Sequence, residues 1–264
     1  MILYRELGQF CWLDVKTSDI EVTKRFFHKL LGWDFQSEVI AERVYTKIQI
    51  GKHEVGGLTN LKSPVFPPGT LPHISFYVAV ESVDMTAARV SGLGGKIILE
   101  PFDVPGSGRM ATIEDPLGGV LSLWEARSFL GVNTDQGQIG APGWFELLTT
   151  DPMASAEFYT ELLGWEQEVR EPYILFHCRG QAVGGITRMS SQWEGMNTQW
   201  MVHFTVKDVE EIIAKAQNLG VRVVIDIQDH PIAGKYTGML SPDGLLFAIH
   251  RYNHNQNTKE TSLE

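Results

Sequence analysis

The sequence has few cysteines, no excess of basic charge and no long apolar run. Cys11 and Cys178 are its only thiols, so it lacks the residues for a disulfide framework or a cysteine-based zinc site. A formal net charge of −10 and a pI near 5.3 make nonspecific attraction to nucleic acid unfavourable. No window approaches the roughly 18 apolar residues of a membrane span, and the N-terminus has no signal-peptide pattern. We therefore expect a cytoplasmic protein that binds neither nucleic acid nor a membrane.

What the chain does have is an internal repeat. Three segments recur in the same order: Phe27–Trp33 (FHKLLGW) returns as Tyr159–Trp165 (YTELLGW), Val55–Thr59 (VGGLT) as Val183–Thr187 (VGGIT), and Asp115–Gly118 (DPLG) as Ser241–Gly244 (SPDG). The offset falls slowly, from 132 to 128 to 126 residues. Matches in one order with a shrinking offset indicate a duplicated domain with small deletions. At 264 residues the chain is long enough for two domains that each bury a core.

Within each half, the apolar pattern predicts strands and helices in a fixed order. Alternation over 10–17 predicts a strand, and an apolar stripe after Ser18 or Asp19 predicts a helix that ends at Gly32. The same reasoning predicts helices over 83–93, 152–163 and 208–219, strands near 33–38, 43–50, 53–60, 73–80, 96–103, 108–114, 119–125, 143–149 and 199–206, and further strands up to about 187 and 250. Each half thus contains two βαβββ units.

Composition predicts where the halves meet. Residues 128–140 are polar and contain glycine, which favours a linker, and the segment after residue 252 is polar enough to be disordered. We therefore predict a first domain over 1–127, a linker over 128–140, a second domain over 141–252 and a polar tail over 253–264. Residues 61–72 and 188–198 join the half-domains, as crossover connections or as lids.

Four motifs in these elements are similar to those of a known family. They are a strand followed by Thr-x-Asp, a helix that closes in Phe-x-x-Leu-Leu-Gly-Trp, a Val-Gly-Gly hairpin, and Val-Pro-Gly-x-Gly-Arg-Met leading to Asp-Pro-x-Gly-Gly. Over residues 8–126 and 141–251 the chain resembles the vicinal oxygen chelate superfamily of glyoxalases, bleomycin-resistance proteins and extradiol dioxygenases, and above all its tandem glyoxalase-like members. The resemblance implies an α+β fold of two tandem domains, in which paired βαβββ units curl into a sheet that cups a ligand, with helices on the convex side.

Strand alternation then predicts which side chains line each cup. We call the concave face lined by Trp12, Asp14, Tyr77 and Trp124 the first cup, and the face lined by Trp144, Glu146, His203 and His250 the second cup. The predicted ligand-binding residues are Trp12, His73, Tyr77, Arg109, Trp124, Trp144, His203, Lys235 and His250. The aromatic rings supply flat apolar walls. Arg109 and Lys235 would hold an anionic or carbonyl-bearing ligand, or else be solvated charges at the edge of the sheet or partners of Asp14 or Glu146.

A metal site is the feature that the resemblance implies and the residues argue against. Enzymes of the family hold a divalent metal through side chains on the first, fifth and eighth strands of a cup. By our alignment these positions carry Phe10, Ser75 and Ser122 in the first domain and Pro142, Met201 and Ala248 in the second. None is a competent ligand for Zn, Fe or Ni. We therefore predict no metal and no cofactor.

One alternative keeps a divalent metal in the second cup. Glu146, His203 and His250 all face it, and two imidazoles with one carboxylate can bind non-haem iron or zinc. Their offsets from the usual positions differ between strands, so the three need not converge within about 2 Å of one ion. The other interpretation is that they form hydrogen bonds to a ligand or to each other.

Asp14 and Glu146 occupy equivalent places and are the predicted catalytic residues. Desolvation in an aromatic pocket raises the pKa of a carboxylate, which could then act as a general base near neutral pH. A paired structural role is the alternative. The remaining histidines fall on helix surfaces, hairpins or the tail and are expected to be solvated: His28, His53, His177, His230 and His254.

Two classes of function follow. The first is a protein that binds a small organic molecule in aromatic cups without the usual metal. The second is a glyoxalase-like lyase or isomerase, or a dioxygenase-type enzyme, with a divalent metal in the second cup or with Glu146 or Asp14 as a base. The sequence favours binding, because the usual ligands are absent. It is compatible with a homodimer and does not decide the oligomeric state.

Overall fold

A computed structural model describes residues 4–40, 43–189, 196–230 and 234–251. The predicted tail over 253–264 lies outside these ranges, and so does part of the connection over 188–198.

The first half folds into one eight-stranded sheet with two helices. Its elements are β1 (Phe10–Thr17), α1 (Ile20–Leu31), β2 (Asp34–Ile40), β3 (Arg43–Ile50), β4 (His53–Asn60), β5 (His73–Ala79), α2 (Val83–Val90), β6 (Lys96–Val104), β7 (Gly108–Glu114) and β8 (Val120–Ala126). The strand order is β2-β3-β4-β1-β5-β8-β7-β6. β1 and β5, the first strands of the two units, pair antiparallel at the centre of the sheet.

The second half repeats this architecture. Its elements are β9 (Pro142–Thr149), α3 (Pro152–Leu163), β10 (Glu166–Arg170), β11 (Tyr173–Cys178), β12 (Gln181–Arg188), β13 (Gln199–Val206), α4 (Val209–Asn218), β14 (Arg222–His230), β15 (Gly234–Leu240) and β16 (Leu246–Arg251). The order β10-β11-β12-β9-β13-β16-β15-β14 matches that of the first sheet strand for strand. The predicted α+β fold of two domains, each with two βαβββ units, is confirmed.

The recurring motifs define how the helices begin and end. Asp19 and Asp151 each accept a hydrogen bond from the backbone N–H three residues on, which starts α1 and α3. Gly32 and Gly164 end these helices with φ of 73° and 69°, a left-handed conformation that glycine adopts without steric cost. Among the described residues, no helix combines the length and apolar character needed to cross a bilayer.

The helix-facing sides of both sheets share one hydrophobic core. Phe10 of the first domain stacks on Phe145 of the second, with ring centroids 4.0 Å apart and an interplanar angle of 12°. Phe27 of α1 contacts Phe204 and Phe247 of the second sheet. α1 also contacts α4, and α2 contacts α3. The helices therefore lie between the two sheets, which leaves both cups on the outer faces.

The tryptophan that closes each Leu-Leu-Gly-Trp motif holds the domains together. Trp33 Nε1 donates to the Gly140 carbonyl at 2.8 Å, and Trp165 Nε1 donates to the Gly8 carbonyl at 2.7 Å. Each acceptor lies just before the first strand of the other domain. Both indoles are buried in the shared core, so the repeated motif has a structural role at the interface.

Candidate functional site

The second cup buries four polar side chains from four strands. Glu146 comes from β9, His203 from β13, His230 from the end of β14 and His250 from β16. Glu146 and His203 are fully buried, and His230 and His250 are 6% and 2% exposed. The structure thus places Glu146, His203 and His250 together on the predicted face, and it adds His230.

Two imidazoles share one carboxylate oxygen in this cluster. His203 Nε2 lies 2.9 Å from Glu146 Oε2, and His230 Nε2 lies 3.3 Å from the same atom. The His250 ring is farther away, with its centroid 6.0 Å from that of His203. Among the described residues, the second carboxylate oxygen, Glu146 Oε1, and His203 Nδ1 have no hydrogen-bond partner. These two buried atoms are available to a ligand.

Aromatic rings enclose the cluster. Tyr236 stacks on His203, with centroids 5.1 Å apart and a 23° interplanar angle. The rings of Trp144 and Tyr173 lie 5.9 and 4.8 Å from that of His230. Trp144 Nε1 donates to Tyr173 Oη at 2.9 Å, which fixes both rings. Of these rings, only Trp144 was predicted from the sequence.

The electrostatics of the cluster differ from the expectation for an isolated carboxylate. Burial works to raise the pKa of Glu146, but the contacts and charges of His203 and His230 outweigh it and hold that pKa below its usual value. Burial lowers the pKa of His203, although Glu146 opposes this shift. Burial and the neighbouring imidazoles hold the pKa of His250 well below its usual value. The prediction of a raised carboxylate pKa at Glu146 is therefore wrong, and a neutral imidazole is the better base.

His230 is the residue that sequence reasoning missed. We expected a solvated hairpin histidine, and it is buried against Glu146. The alternation of β14 does not reveal its orientation, because the pairing with β15 shifts register twice. The repeat carries the missing signal, since Val104-Pro-Gly-Ser-Gly and His230-Pro-Ile-Ala-Gly are equivalent segments and Val104 packs against the first cup.

The cluster has the right donor types for a metal but not the arrangement. Imidazole and carboxylate suit zinc or non-haem iron. Among the described residues, however, no three His, Cys, Asp or Glu side chains are placed to hold one ion. The nearest nitrogens of His203 and His230 lie against Glu146 Oε2 itself. This arrangement of the described residues does not fit a metal ion, and a metal held by Glu146, His203 and His250 stays a prediction for metal analysis to decide.

The first cup has a carboxylate at the equivalent place, Asp14, but neighbouring side chains pair with it. Thr59 Oγ1 lies 3.0 and 2.8 Å from the two oxygens of Asp14, and Lys16 Nζ lies 3.7 Å from Oδ2. Trp12 Nε1 donates to Tyr45 Oη at 2.9 Å, as Trp144 does to Tyr173 in the second cup. The surroundings of Asp14 match its alternative interpretation as a paired structural group.

The repeated Val-Gly-Gly motif makes room for this tryptophan–tyrosine pair. Asp14 pairs across the sheet with Gly57, and Glu146 pairs with Gly185. A Cβ on Gly57 would lie 1.8 Å from Tyr45 Oη, and one on Gly185 would lie 2.1 Å from Tyr173 Oη. Glycine is required because the tyrosine hydroxyl lies directly against the backbone beside the carboxylate.

The two cups share a carboxylate and a tryptophan–tyrosine pair, but they differ at the positions around these groups. Strand register places His203 where the first cup has Tyr77, and His250 where it has Trp124. His230 takes the place of Val104. Trp12, Tyr77 and Trp124 are buried together in an apolar cluster. The imidazoles of the second cup are therefore replaced by apolar or aromatic side chains in the first.

Three predicted ligand-binding residues lie outside the cups. Arg109 bonds Asp84 and Asp103, and Lys235 Nζ lies 3.2 Å from Glu210 on α4. On each strand it is the following residue, Met110 or Tyr236, that joins the cup cluster, so the predicted inward orientation of both cations is wrong.

His73 is exposed at the start of β5. It lines a cavity of about 300 Å³ between the domains, with Thr198, Gln199 and Trp200 among the other lining residues.

A bulge in the first strand of each sheet shows that the expected inward orientation of Phe10, at a metal position of the family, is wrong. The pairing of β1 with β5 shifts between Phe10 and Trp12, and that of β9 with β13 shifts between His203 and Phe204. Phe10 consequently turns into the shared core, away from the cup. Trp12 and Trp144 take the inward place at this end of the strands, and neither side chain is a metal ligand.

Comparisons with known proteins agree with the duplicated architecture. A family model described as Glyoxalase/Bleomycin resistance protein/Dioxygenase superfamily matches residues 9–122 and 141–249. "Putative glyoxylase CFP32" of Mycobacterium tuberculosis is 29% identical over 93% of this chain and 95% of its own length. Anthracycline biosynthesis protein DauV of Streptomyces sp. strain C5 is 28% identical over 92% of each chain. The Mn(II)-bound glyoxalase from Novosphingobium aromaticivorans superposes with a TM-score of 0.62 at 15% identity, over 94% of this chain and 83% of that chain.

Proposed function

Because the chain belongs to the Glyoxalase/Bleomycin resistance protein/Dioxygenase superfamily, we propose that it binds a small organic molecule in its second cup. The aromatic walls formed by Trp144, Tyr173 and Tyr236 hold the flat part of the ligand. Glu146 and His203 bind its polar groups. This binding requires no metal, and it does not involve the first cup.

The observation that carries this proposal is the buried Glu146 with an unpartnered oxygen. A buried carboxylate is costly unless it is fully paired, and a buried polar atom without a partner costs about 1–3 kcal/mol. The fold does not require this cost, because the first repeat builds the same sheet with Tyr77, Val104 and Trp124 in place of the three histidines. Retaining a buried carboxylate with an unpartnered oxygen in one repeat is typical of a ligand site.

The two unpartnered atoms of the second cup define the class of ligand. Glu146 Oε1 can only accept hydrogen bonds while it is ionised, and His203 Nδ1 can donate or accept. A planar aromatic molecule with hydroxyl groups supplies donors for the carboxylate and a ring for the walls. DauV, a relative of the chain, is named for the biosynthesis of anthracyclines, which are hydroxylated polycyclic aromatic compounds. Their chemistry is of the proposed class.

Binding of catechol tests the proposal. The wild-type chain is expected to bind one catechol, and Glu146→Gln is expected to bind it at least tenfold more weakly, because the amide presents a neutral acceptor in place of a charged one. Hydrogen bonds to charged groups contribute about 1.5–3 kcal/mol, which corresponds to roughly tenfold or more in Kd. Isothermal titration calorimetry at pH 7.5 measures both the affinity and the stoichiometry.

Asp14→Asn is the matched control, since Asp14 holds the equivalent place in the first cup. It should bind catechol as the wild type does. Equal affinity in all three proteins, or a loss confined to Asp14→Asn, would exclude the second cup as the site. Elemental analysis of the same preparations tests the metal alternative, which requires one equivalent of Zn, Fe or Ni in the wild type and less in Glu146→Gln and His203→Gln.

Proton transfer is the second candidate function, and the contact between Glu146 and His203 favours it. A carboxylate 2.9 Å from an imidazole nitrogen orients the ring and stabilises the imidazolium that forms when the ring accepts a proton. The low pKa of His203 keeps the imidazole neutral and ready to act as a base. An isomerase would convert the hemithioacetal of methylglyoxal and glutathione to a thioester, measured by ultraviolet absorbance, and His203→Gln would abolish this turnover. Catechol binding without turnover in the wild type would support binding alone.

A further inference from the structure

The linker closes the first cup with one of its own side chains. Phe129 lies in the predicted linker 128–140, and its ring packs between two cup tryptophans. The ring centroids are 4.7 Å from Trp12 at 87° and 6.0 Å from Trp124 at 81°. Both contacts have the edge-to-face geometry that aromatic pairs prefer. The ring of Phe129 thus takes the place that an aromatic ligand would take between these walls.

A cation completes the enclosure. Lys47 Nζ lies 5.6 Å from the centroid of the Phe129 ring, within the range of a cation–π interaction. Glu38 and Glu54 each lie 3.1 Å from this ammonium group and fix its position. Two indoles and one ammonium group around a single ring form a cage whose contacts favour an aromatic ring over an aliphatic side chain of similar volume.

The linker reaches the cup on a short loop that the first domain anchors. Trp124 Nε1 donates to the Phe129 carbonyl at 3.1 Å, and the backbone N–H of Phe129 donates to the Ser107 carbonyl at 3.2 Å. Leu130, the next residue, is 43% exposed. Phe129 itself is only partly buried, unlike Trp12 and Trp124. The ring of Phe129 is therefore more exposed to solvent than the two tryptophans that it contacts.

We propose that the first cup is a binding site for a neutral aromatic ring, that Phe129 fills it in cis, and that an external ring competes with Phe129 for the same cage. The second cup has no part in this proposal, which concerns a different set of side chains. A phenol suits the cage best, because an electron-rich ring interacts strongly with Lys47 and fits between the two indoles.

The number of 4-fluorophenol molecules bound per chain tests the proposal. At probe concentrations below those that displace Phe129 in the wild type, Phe129→Ala is expected to bind one more molecule than the wild type, measured by fluorine NMR titration at neutral pH. Adding Lys47→Met to this variant should weaken the additional site severalfold, because the cation is lost. Phe129→Leu should show the additional site with lower affinity, and it covers the case in which Phe129→Ala does not fold. The test uses the difference between variants, so it stands whether or not the second cup binds the probe.

Phe158→Ala is the matched control, because it also removes a phenylalanine ring, but a buried one from the shared core. It should gain no site. At these low probe concentrations, a stoichiometry equal to that of the wild type in folded Phe129→Ala, or an equal gain in Phe158→Ala, would overturn the proposal.

Competition in the wild-type chain is tested by proteolysis next to the linker. Arg127 is 54% exposed and Arg170, on β10, is 47% exposed, so both are accessible to trypsin. Saturating 4-fluorophenol should speed cleavage after Arg127 severalfold, because displacing Phe129 frees the linker. Cleavage after Arg170 should not change. An Arg127 rate that does not respond to the ligand would show that Phe129 is a fixed part of the core and would overturn the competition.

Discussion

Replacing Trp33 by alanine is expected to lower the free energy of unfolding by about 3–5 kcal/mol, the cost typical of truncating a large buried aromatic side chain. The indole is 1% exposed, stacks on Phe27 at 4.4 Å and meets Phe204 of the second domain edge-on at 5.0 Å. It also donates the hydrogen bond to the Gly140 carbonyl that links the domains. Urea denaturation followed by circular dichroism measures the loss.

The conservative replacement Trp33→Phe separates packing from hydrogen bonding. It keeps a ring in the core but leaves the buried Gly140 carbonyl without this donor, so a loss of about 1–3 kcal/mol is expected. Val39→Ala, at a position 74% exposed, should stay within about 0.5 kcal/mol of the wild type. A Trp33→Ala protein as stable as Val39→Ala would refute the structural role assigned to the repeated motif.

The fold could be predicted from the sequence because residues within each helix define where it begins and ends. Caps at Asp19 and Asp151 and glycines after α1 and α3 define helix ends within the chain itself, so neither requires tertiary information. The repeat then fixed the order of elements twice. In the second cup, simple alternation correctly grouped Glu146, His203 and His250, because β9, β13 and β16 are regular over those residues.

What the sequence did not predict depends on departures from regular pairing. The bulge at the start of β1 turns Phe10 into the core, and two register shifts in β14 hide the orientation of His230. One extra residue in a strand reverses which side chains face the cup. The position of Phe129 depends on how the linker folds back over the first domain, and a polar, glycine-containing stretch carries no periodic signal for such a contact.

Acidification is expected to destabilise the protein strongly below about pH 6.5, and the second cup is the cause. Burial holds the pKa values of His203 and His250 below the usual 6.5, so the unfolded chain takes up protons there before the folded chain does. The pKa of Glu146 is likewise lowered from 4.5, which removes further stability as the pH falls below that value. All three shifts act in the same direction: stability is complete above pH 6.5 and is lost on acidification.

Each proton taken up preferentially by the unfolded chain contributes a slope of about 1.4 kcal/mol per pH unit. The free energy of unfolding, measured by urea denaturation from pH 8 to pH 5, should therefore fall more steeply in the wild type than in His250→Gln, which has one proton fewer to take up. His203, His230 and Tyr236 surround this part of the cup in both proteins, so the comparison isolates a single imidazole. Equal slopes would mean that His250 is not held neutral by its surroundings. A slope of opposite sign would mean that the cluster folds around protonated histidines and stores positive charge, a state suited to anionic ligands rather than to the hydroxylated aromatic molecules proposed for the second cup.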